Sequence, residues 1–249
     1  MRKIIKRGWI GLLVLATGLT VINFFMHVVE ARQFNRADAI AHAAQYDAEI
    51  IRDTYGVPHI YGRRDADVAF ALAYAHAEDD FTTMQQMLPF YRGELGRTVG
   101  FDGLAIDFLL GWLDVRRMVA ARFETDLTPQ LRAHLQAYAD GLNYYAATHP
   151  HEADPRLFPM RAQDLAVGFN IQHLLFYGFE SHVSELFADS PARELAQPPK
   201  TGALSRYIGA AGLPVGSNAF AINARKSNDG ATRLMINSHQ PLEGPVAWY

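Results

Sequence analysis

Gly216-Ser217-Asn218-Ala219-Phe220-Ala221-Ile222 puts a serine directly after a glycine, at the end of a Gly/Pro-rich run and at the head of an apolar strand. Cutting the Gly216–Ser217 bond would leave Ser217 with a hydroxyl and a free α-amine on one residue. Such a residue holds a nucleophile and its own base, because an α-amine titrates at about 7.7–8.0 and is available as a base near neutral pH. The plain alternative is a tight turn into a strand, since Gly-Ser is frequent in loops.

Other chemistries fit less well. An ordinary serine hydrolase wants G-x-S-x-G on a strand-to-helix elbow. Here Val215 stands two places before Ser217, Ala219 two after, and a strand follows. The ten histidines include no H-E-x-x-H, and His149 and His151 flank a proline in a loop-like stretch. Cysteine is absent, which removes disulfides, thiolate metal sites and a cysteine nucleophile. Glu78-Asp79-Asp80 occupies consecutive helical positions that point in different directions, so solvation or pairing with Arg92 is favoured over a metal.

Several elements must position these residues. Gln33 to Gln45 is a polar-to-Ala-rich connector expected to be helical. Ala48–His59 reads as a strand, a Tyr55-Gly56-Val57-Pro58 turn and a second strand. Asp65 or Asp67 is expected to cap the next helix, whose alanines with Phe70, Leu72, Tyr74 and Met84 make it a buried, tightly packed element. Thr128-Pro129 is an N-cap followed by proline, and Leu131, Leu135, Tyr138, Leu142 and Tyr145 form a core stripe behind it. Arg161 to Phe179 is a third helical segment. From Ala188 to Gly216 prolines and glycines break any regular element, giving a linker. Asn218–Arg225 and Thr232–Asn237 are two strands around a Ser227-Asn228-Asp229-Gly230 turn. No exposed amphipathic stripe or charge run advertises a partner surface.

Composition is that of a globular protein, with 49% hydrophobic and 20% charged residues among 249. The net charge is -3, and residues 32–249 carry -6 once Arg2, Lys3, Lys6, Arg7 and Glu30 are set aside. An acidic body argues against nucleic acid as a partner. Arg2 to Arg7 is a basic start, and Gly8 to Val29 carries no formal charge. Val29-Glu30-Ala31 is a passable cleavage site, while the apolar run is long enough to span a bilayer. A cleaved signal and a retained anchor over residues 8–29 both stay open. Either places the body outside the cytoplasm, in a periplasmic or other extracytoplasmic space.

Four stretches in this order resemble the penicillin acylase family of N-terminal-nucleophile hydrolases, which includes acyl-homoserine lactone and cephalosporin acylases. Glu49 to Gly62 resembles the opening strand pair. Asp67 to Met84, centred on Ala73-Tyr74-Ala75-His76-Ala77-Glu78-Asp79-Asp80, resembles the helix that follows. Arg92-Gly93-Glu94-Leu95-Gly96-Arg97 looks like the small-residue stretch after it, and Gly216-Ser217-Asn218-Ala219 like the maturation site.

The resemblance implies an α+β fold: a mostly helical α-chain region plus the first strands of an αββα sandwich. It divides the chain into 1–31 (signal peptide or anchor), 32–189 (α-chain region), 190–216 (spacer) and 217–249 (start of the β chain). It implies autocleavage between Gly216 and Ser217, with Ser217 as catalytic nucleophile. His239, at the 23rd position counted from Ser217, is where the family places a histidine close to the nucleophile, to orient it or tune the amine. The implied activity is removal of an acyl group from a small N-acyl compound such as a β-lactam or an acyl-homoserine lactone. No cofactor is implied. Some relatives hold calcium near the region of Pro159–Leu165, but Asp164 alone stands there as a carboxylate, so no formed calcium site is expected.

The departure from the family pattern is length. Only 33 residues run from Ser217 to Tyr249, far fewer than a family β chain, so the sandwich is expected to be incomplete and this chain inactive by itself. Its partner would be the remainder of its own β chain. A membrane-tethered, non-catalytic helical binding domain is the competing reading.

Overall fold

The computed structural model describes residues 17–18, 34–176 and 216–239. Residues 8–29 lie outside these except for 17 and 18, and the 190–216 spacer lies outside them except for Gly216. Among the described residues no helix is long and apolar enough to cross a membrane. The chain forms two compact units, Met1–Leu88 with Val119–Ala166, and Pro89–Met118 with Val167–Tyr249. The architecture is mostly helical with two small antiparallel sheets, as the α+β expectation requires.

In the first unit α1 (Arg36–Ala43) starts at Asn35, whose Oδ1 accepts the Ala37 amide at 3.0 Å. Strands β1 (Ala48–Arg52) and β2 (Pro58–Gly62) pair with Ile50 opposite Ile60. Their turn is closed by Asp53, which accepts the amides of Tyr55 and Val57, and by Gly56 at φ +84°.

Helix α2 (Asp65–Arg92) is capped by Asp67, one of the two expected aspartates, from inside its first turn. Asp67 sits three residues in and reaches back to the Arg64 amide at 3.0 Å, while also receiving the Asp47 amide and the Arg64 guanidinium. This is the carboxylate half of a capping box, so Asp67 stabilises the start from inside the helix. The helix is kinked at Asp80 (φ -150°, ψ 55°), whose Oδ1 accepts the Thr83 amide and so caps the second half.

Ala71, Ala73, Ala75 and Ala77 are all buried, which covers two faces of α2. One of them meets α6 (Pro129–Thr148), where a Cβ at Gly141 would stand 2.3 Å from the Phe70 carbonyl oxygen and 3.0 Å from the Ala73 Cβ. Thr128 caps α6 as expected, its Oγ1 accepting the Leu131 amide at 3.2 Å. The expected stripe holds at Leu135, Leu142 and Tyr145, which are buried, but Leu131 in the first turn is 43% exposed. Around these helices Phe81, Leu88, Tyr145, Phe158 and Met160 close the core, with Phe81 stacked on Phe158 at 5.7 Å. Asn143 clamps the incoming chain with two bonds, from Nδ2 to the Met160 carbonyl and from the Met160 amide to Oδ1.

In the second unit the small-residue stretch ends α2 and begins a helical turn. Gly93 (φ +64°) donates to the Phe90 carbonyl and Glu94 to that of Pro89, the pair of bonds that closes a helix C-terminus. Asp107 then accepts the amides of Leu95 and Gly96 at 2.8 and 2.7 Å, capping α3 (Gly96–Val99) from the next helix, α4 (Phe101–Leu113). Gly103 allows that approach, since a Cβ there would lie 2.5 Å from the Leu95 backbone. The helix buries Ile106 and Leu110 and turns Phe101, Leu104, Phe108 and Trp112 outward, with Phe101 and Phe108 87% and 76% exposed. This corrects the expectation that no apolar stripe is displayed. The three-to-four spacing is plain in hindsight, but apolar residues lie all round this helix, so the buried face could not be told from the open one.

Helix α5 (Val115–Asp126) leads back to α6, and α7 (Ala162–Phe176) fills the third expected helical segment. Strands β3 (Gly216–Ile222) and β4 (Arg233–His239) form the second hairpin. Strand β3 begins two residues earlier than expected and ends three residues sooner, because Ala224–Lys226 coils into a 3-10 turn, while β4 begins one residue later and runs two residues further.

Two outcomes follow. Gly141→Ala would add helix propensity worth up to about 1 kcal/mol, but here it drives a methyl into backbone, and overpacking costs about 1–3 kcal/mol. Urea unfolding should therefore show a less stable protein, and a gain in stability would contradict the close approach. Asp67 is held below the ordinary carboxylate range, chiefly by its bond to the Arg64 side chain. In the unfolded chain it titrates near 4, so its contribution is present above about pH 4 and is lost as pH falls through the lower folded value. Asp67→Asn should unfold more easily at pH 7 and lose less additional stability on acidification, read by denaturant titrations at stepped pH.

Candidate functional site

The β3–β4 hairpin carries all three residues singled out for chemistry. Its register sets Gly216 opposite His239, Ser217 opposite Ser238 and Asn218 opposite Asn237. Directly opposed residues of an antiparallel pair share a face, and successive residues alternate. Ser217, Ala219, Ala221, Leu234, Ile236 and Ser238 therefore lie on one face, while Asn218, Phe220, Ile222, Arg233, Met235, Asn237 and His239 lie on the other. The hairpin brings His239 beside Gly216 but sets its side chain on the face opposite that of Ser217. The imidazole meets Asn218 instead, with Asn218 Nδ2 3.1 Å from His239 Nε2.

Ser217 is solvent-exposed and His239 half-buried. In the uncut chain the Ser217 nitrogen is a peptide nitrogen inside β3, so the amine that would serve as a base exists only after cleavage. The far end of the hairpin is held by Asp229. It accepts the Ala231 amide at 3.1 Å and bonds to Ser227 Oγ and the Arg233 guanidinium, and that guanidinium is the chief reason its carboxyl lies well below the ordinary range. Apolar side chains stand exposed on both faces, among them Phe220 and Met235 on one and Leu234 and Ile236 on the other.

The acidic run elsewhere is half-exposed, as the surface of a helix is, and is also engaged by an arginine from outside the helix. Arg52, at the end of β1, bonds to Glu78 Oε2 and Asp79 Oδ2, each at 3.0 Å, and also donates to the carbonyls of Gly56 and Ala75. Strand pairing brings β1 alongside α2, a proximity that spacing along one helix does not reveal. Asp164 is buried and accepts the Arg161 amide at 3.0 Å, capping α7. Among the described residues no group of three His, Cys, Asp or Glu side chains converges as a metal site.

The sequence carries no signal for the contact of Asn218 with His239, because which residues share a face is set by the register of the two strands.

The model of the family described as Penicillin amidase matches residues 47–249, a span that takes in Gly216, Ser217 and His239. Acyl-homoserine lactone acylase PvdQ of Pseudomonas fluorescens is 29% identical over 244 residues, covering 86% of this chain and 30% of that protein. The protein of the same name from a second strain is 25% identical over 255 residues, covering 94% of this chain and 31% of its own. Penicillin G acylase of Escherichia coli is 29% identical over 127 residues, 48% of this chain and 14% of that one. The solved structure of a thermostable penicillin G acylase from Alcaligenes faecalis aligns at a TM-score of 0.45 with 18% identity, over 61% of this chain and 98% of that one. The chain thus spans about three-tenths of the length of the first curated relatives it matches.

Proposed function

Because the chain belongs to the penicillin amidase family, we propose that it carries the maturation site of a self-processing amide-bond hydrolase whose nucleophile is Ser217. The observation that carries this reading is the family match over residues 47–249, a span that includes Gly216, Ser217 and His239. In maturation Ser217 Oγ attacks the Gly216 carbonyl carbon. The C–N bond breaks, the hydroxyl proton ends on the departing Ser217 nitrogen, and an ester joins Gly216 to Oγ. Water then cleaves that ester, leaving a Gly216 carboxylate and a Ser217 that bears both hydroxyl and amine.

In turnover the amine, directly or through one water, takes the hydroxyl proton as Oγ attacks a substrate amide. The acyl group is held on Oγ until a second water releases it as the acid. No cofactor is needed for either step. Turnover is proposed for the whole enzyme, with the remainder of the β chain as this region's partner; maturation is the step whose residues lie in this chain. His239 is proposed to serve the same site.

The substrate is proposed to be a small N-acyl compound. Proteins named acyl-homoserine lactone acylases match along 86% and 94% of this chain, against 48% for the penicillin G acylase, which supports the homoserine-lactone side. Export is proposed from the basic start and the uncharged stretch over residues 8–29. A tethered, non-catalytic binding domain would use a face such as that of α4, but the family match over residues 47–249 favours the hydrolase.

Intact mass and N-terminal sequencing of the protein from its native source should find a chain that begins at Ser217. Ser217→Ala should remain uncut and should lose acylase turnover by several orders of magnitude, since one oxygen serves both reactions. A Ser217→Ala protein still cut at that bond would contradict the assignment.

A further inference from the structure

We propose that Asp229–Gly230 is a latent site of aspartate isomerisation and that Arg233 is the side chain that guards it. The inference concerns the turn between β3 and β4. It goes beyond the hydrolase reading, since it holds whether or not the bond before Ser217 is cut.

The reaction needs only the chain and water. The Gly230 nitrogen attacks the Asp229 side-chain carbon Cγ, an N–Cγ bond forms, and one carboxyl oxygen leaves as water with the amide proton and the acid proton. A second water then opens the five-membered imide. Opening at the main-chain carbonyl breaks its bond to the Gly230 nitrogen and leaves the chain running through Cγ, an isoaspartyl link of unchanged mass. Glycine favours the first step because it has no Cβ to shield the attacking nitrogen. The carboxyl must be protonated for its oxygen to leave as water.

Asp-Gly occurs three times, at 102–103, 140–141 and 229–230. The first two lie inside α4 and α6, where helical hydrogen bonds fix the backbone that ring closure must turn. The third lies in a turn, with Asp229 and Gly230 both exposed and Gly230 at φ +71°. Asp229 Oδ1 accepts the Ala231 amide at 3.1 Å. The side chain thus folds forward in an Asx turn, and the ring which that bond closes contains the Gly230 nitrogen.

Both reacting groups are nevertheless occupied. The Gly230 amide donates to the Ser227 carbonyl at 3.3 Å. Arg233 grips both carboxylate oxygens of Asp229, with Nη1 2.8 Å from Oδ1 and Nη2 on Oδ2, and Ser227 Oγ donates to Oδ1 as well. Such a fork binds the ionised carboxylate and not the acid. It is the chief reason the Asp229 carboxyl lies well below the ordinary range, which leaves little of the acid form that ring closure consumes.

What the guard preserves is register. An isoaspartyl link puts one more carbon into the main chain of the turn, and in a hairpin the turn fixes which residues pair. The opposed pairs Gly216–His239 and Ser217–Ser238 depend on it.

The test follows isoaspartate at Asp102, Asp140 and Asp229 by peptide mapping after long incubation of the full chain at mildly acid pH, beside a synthetic peptide of residues 225–235. The parental chain should convert Asp229 at least about 10-fold more slowly than the peptide, because a carboxyl held below its ordinary range keeps that much less of its acid form. Arg233→Ala should convert Asp229 several-fold faster than the parent while Asp102 and Asp140 stay unchanged. Arg233→Lys, which keeps the charge without the fork, should fall between the two. The inference is overturned if the parental chain converts Asp229 as fast as the peptide does, or if Arg233→Ala leaves that rate unchanged. It is equally overturned if isoaspartate in Arg233→Ala rises alike at all three positions, as it would in a chain that has opened as a whole.

Discussion

Helices α2 and α6 approach closely where Gly141 sits against the Phe70 carbonyl with no room for even one methyl group. Buried alanines along α2 keep that helix thin on two sides, and the neighbouring elements take their places around it. Dispersion contacts fall off steeply with distance, so a helix pair this close gains from many small contacts what it lacks in large side chains. Larger residues then fill the periphery, with Phe81, Phe158 and Tyr145 forming the aromatic part of the core. Polar groups drawn into the unit are satisfied in place, as with Asn143 on the Met160 backbone and Tyr46 donating to Asp140 at 2.7 Å.

Several aspartates among the described residues serve the backbone. Asp67, Asp80, Asp107 and Asp164 each accept amide hydrogens at a helix start or kink, where four N–H groups lack partners. Glu78 and Asp79 are spent on Arg52, which ties the first hairpin to α2. An acidic run that resembles a ligand set is thus accounted for by capping and by one arginine.

The second hairpin differs in kind. Its strands are ordered by their own ladder and by the Asp229–Arg233 turn, yet apolar side chains stand exposed on both faces. Within it, alternation places Ser217 on one face and His239, with Asn218, on the other.

Much was legible from local sequence. Thr128-Pro129, the 48–62 hairpin and the Ala-rich helix are set by capping, turn and periodicity rules that act over a few residues, and the motifs from Glu49 to Ala219 pointed to the family. What local rules missed depends on neighbours distant along the chain. Whether Glu78 and Asp79 meet Arg92 or Arg52 follows from strand β1 lying along α2. Which face of α4 is open follows from Asp107 and Gly103 docking on Leu95 and Gly96. Spacing alone could place His239 near Ser217 along the strands, but a side chain's face is decided by cross-strand register, and a shift of one residue reverses it. The sequence by itself determined the elements and the family, because both reside in short-range pattern; only the tertiary structure decided that His239 shares a face of the hairpin with Asn218 and not with Ser217, because that depends on pairing between strands.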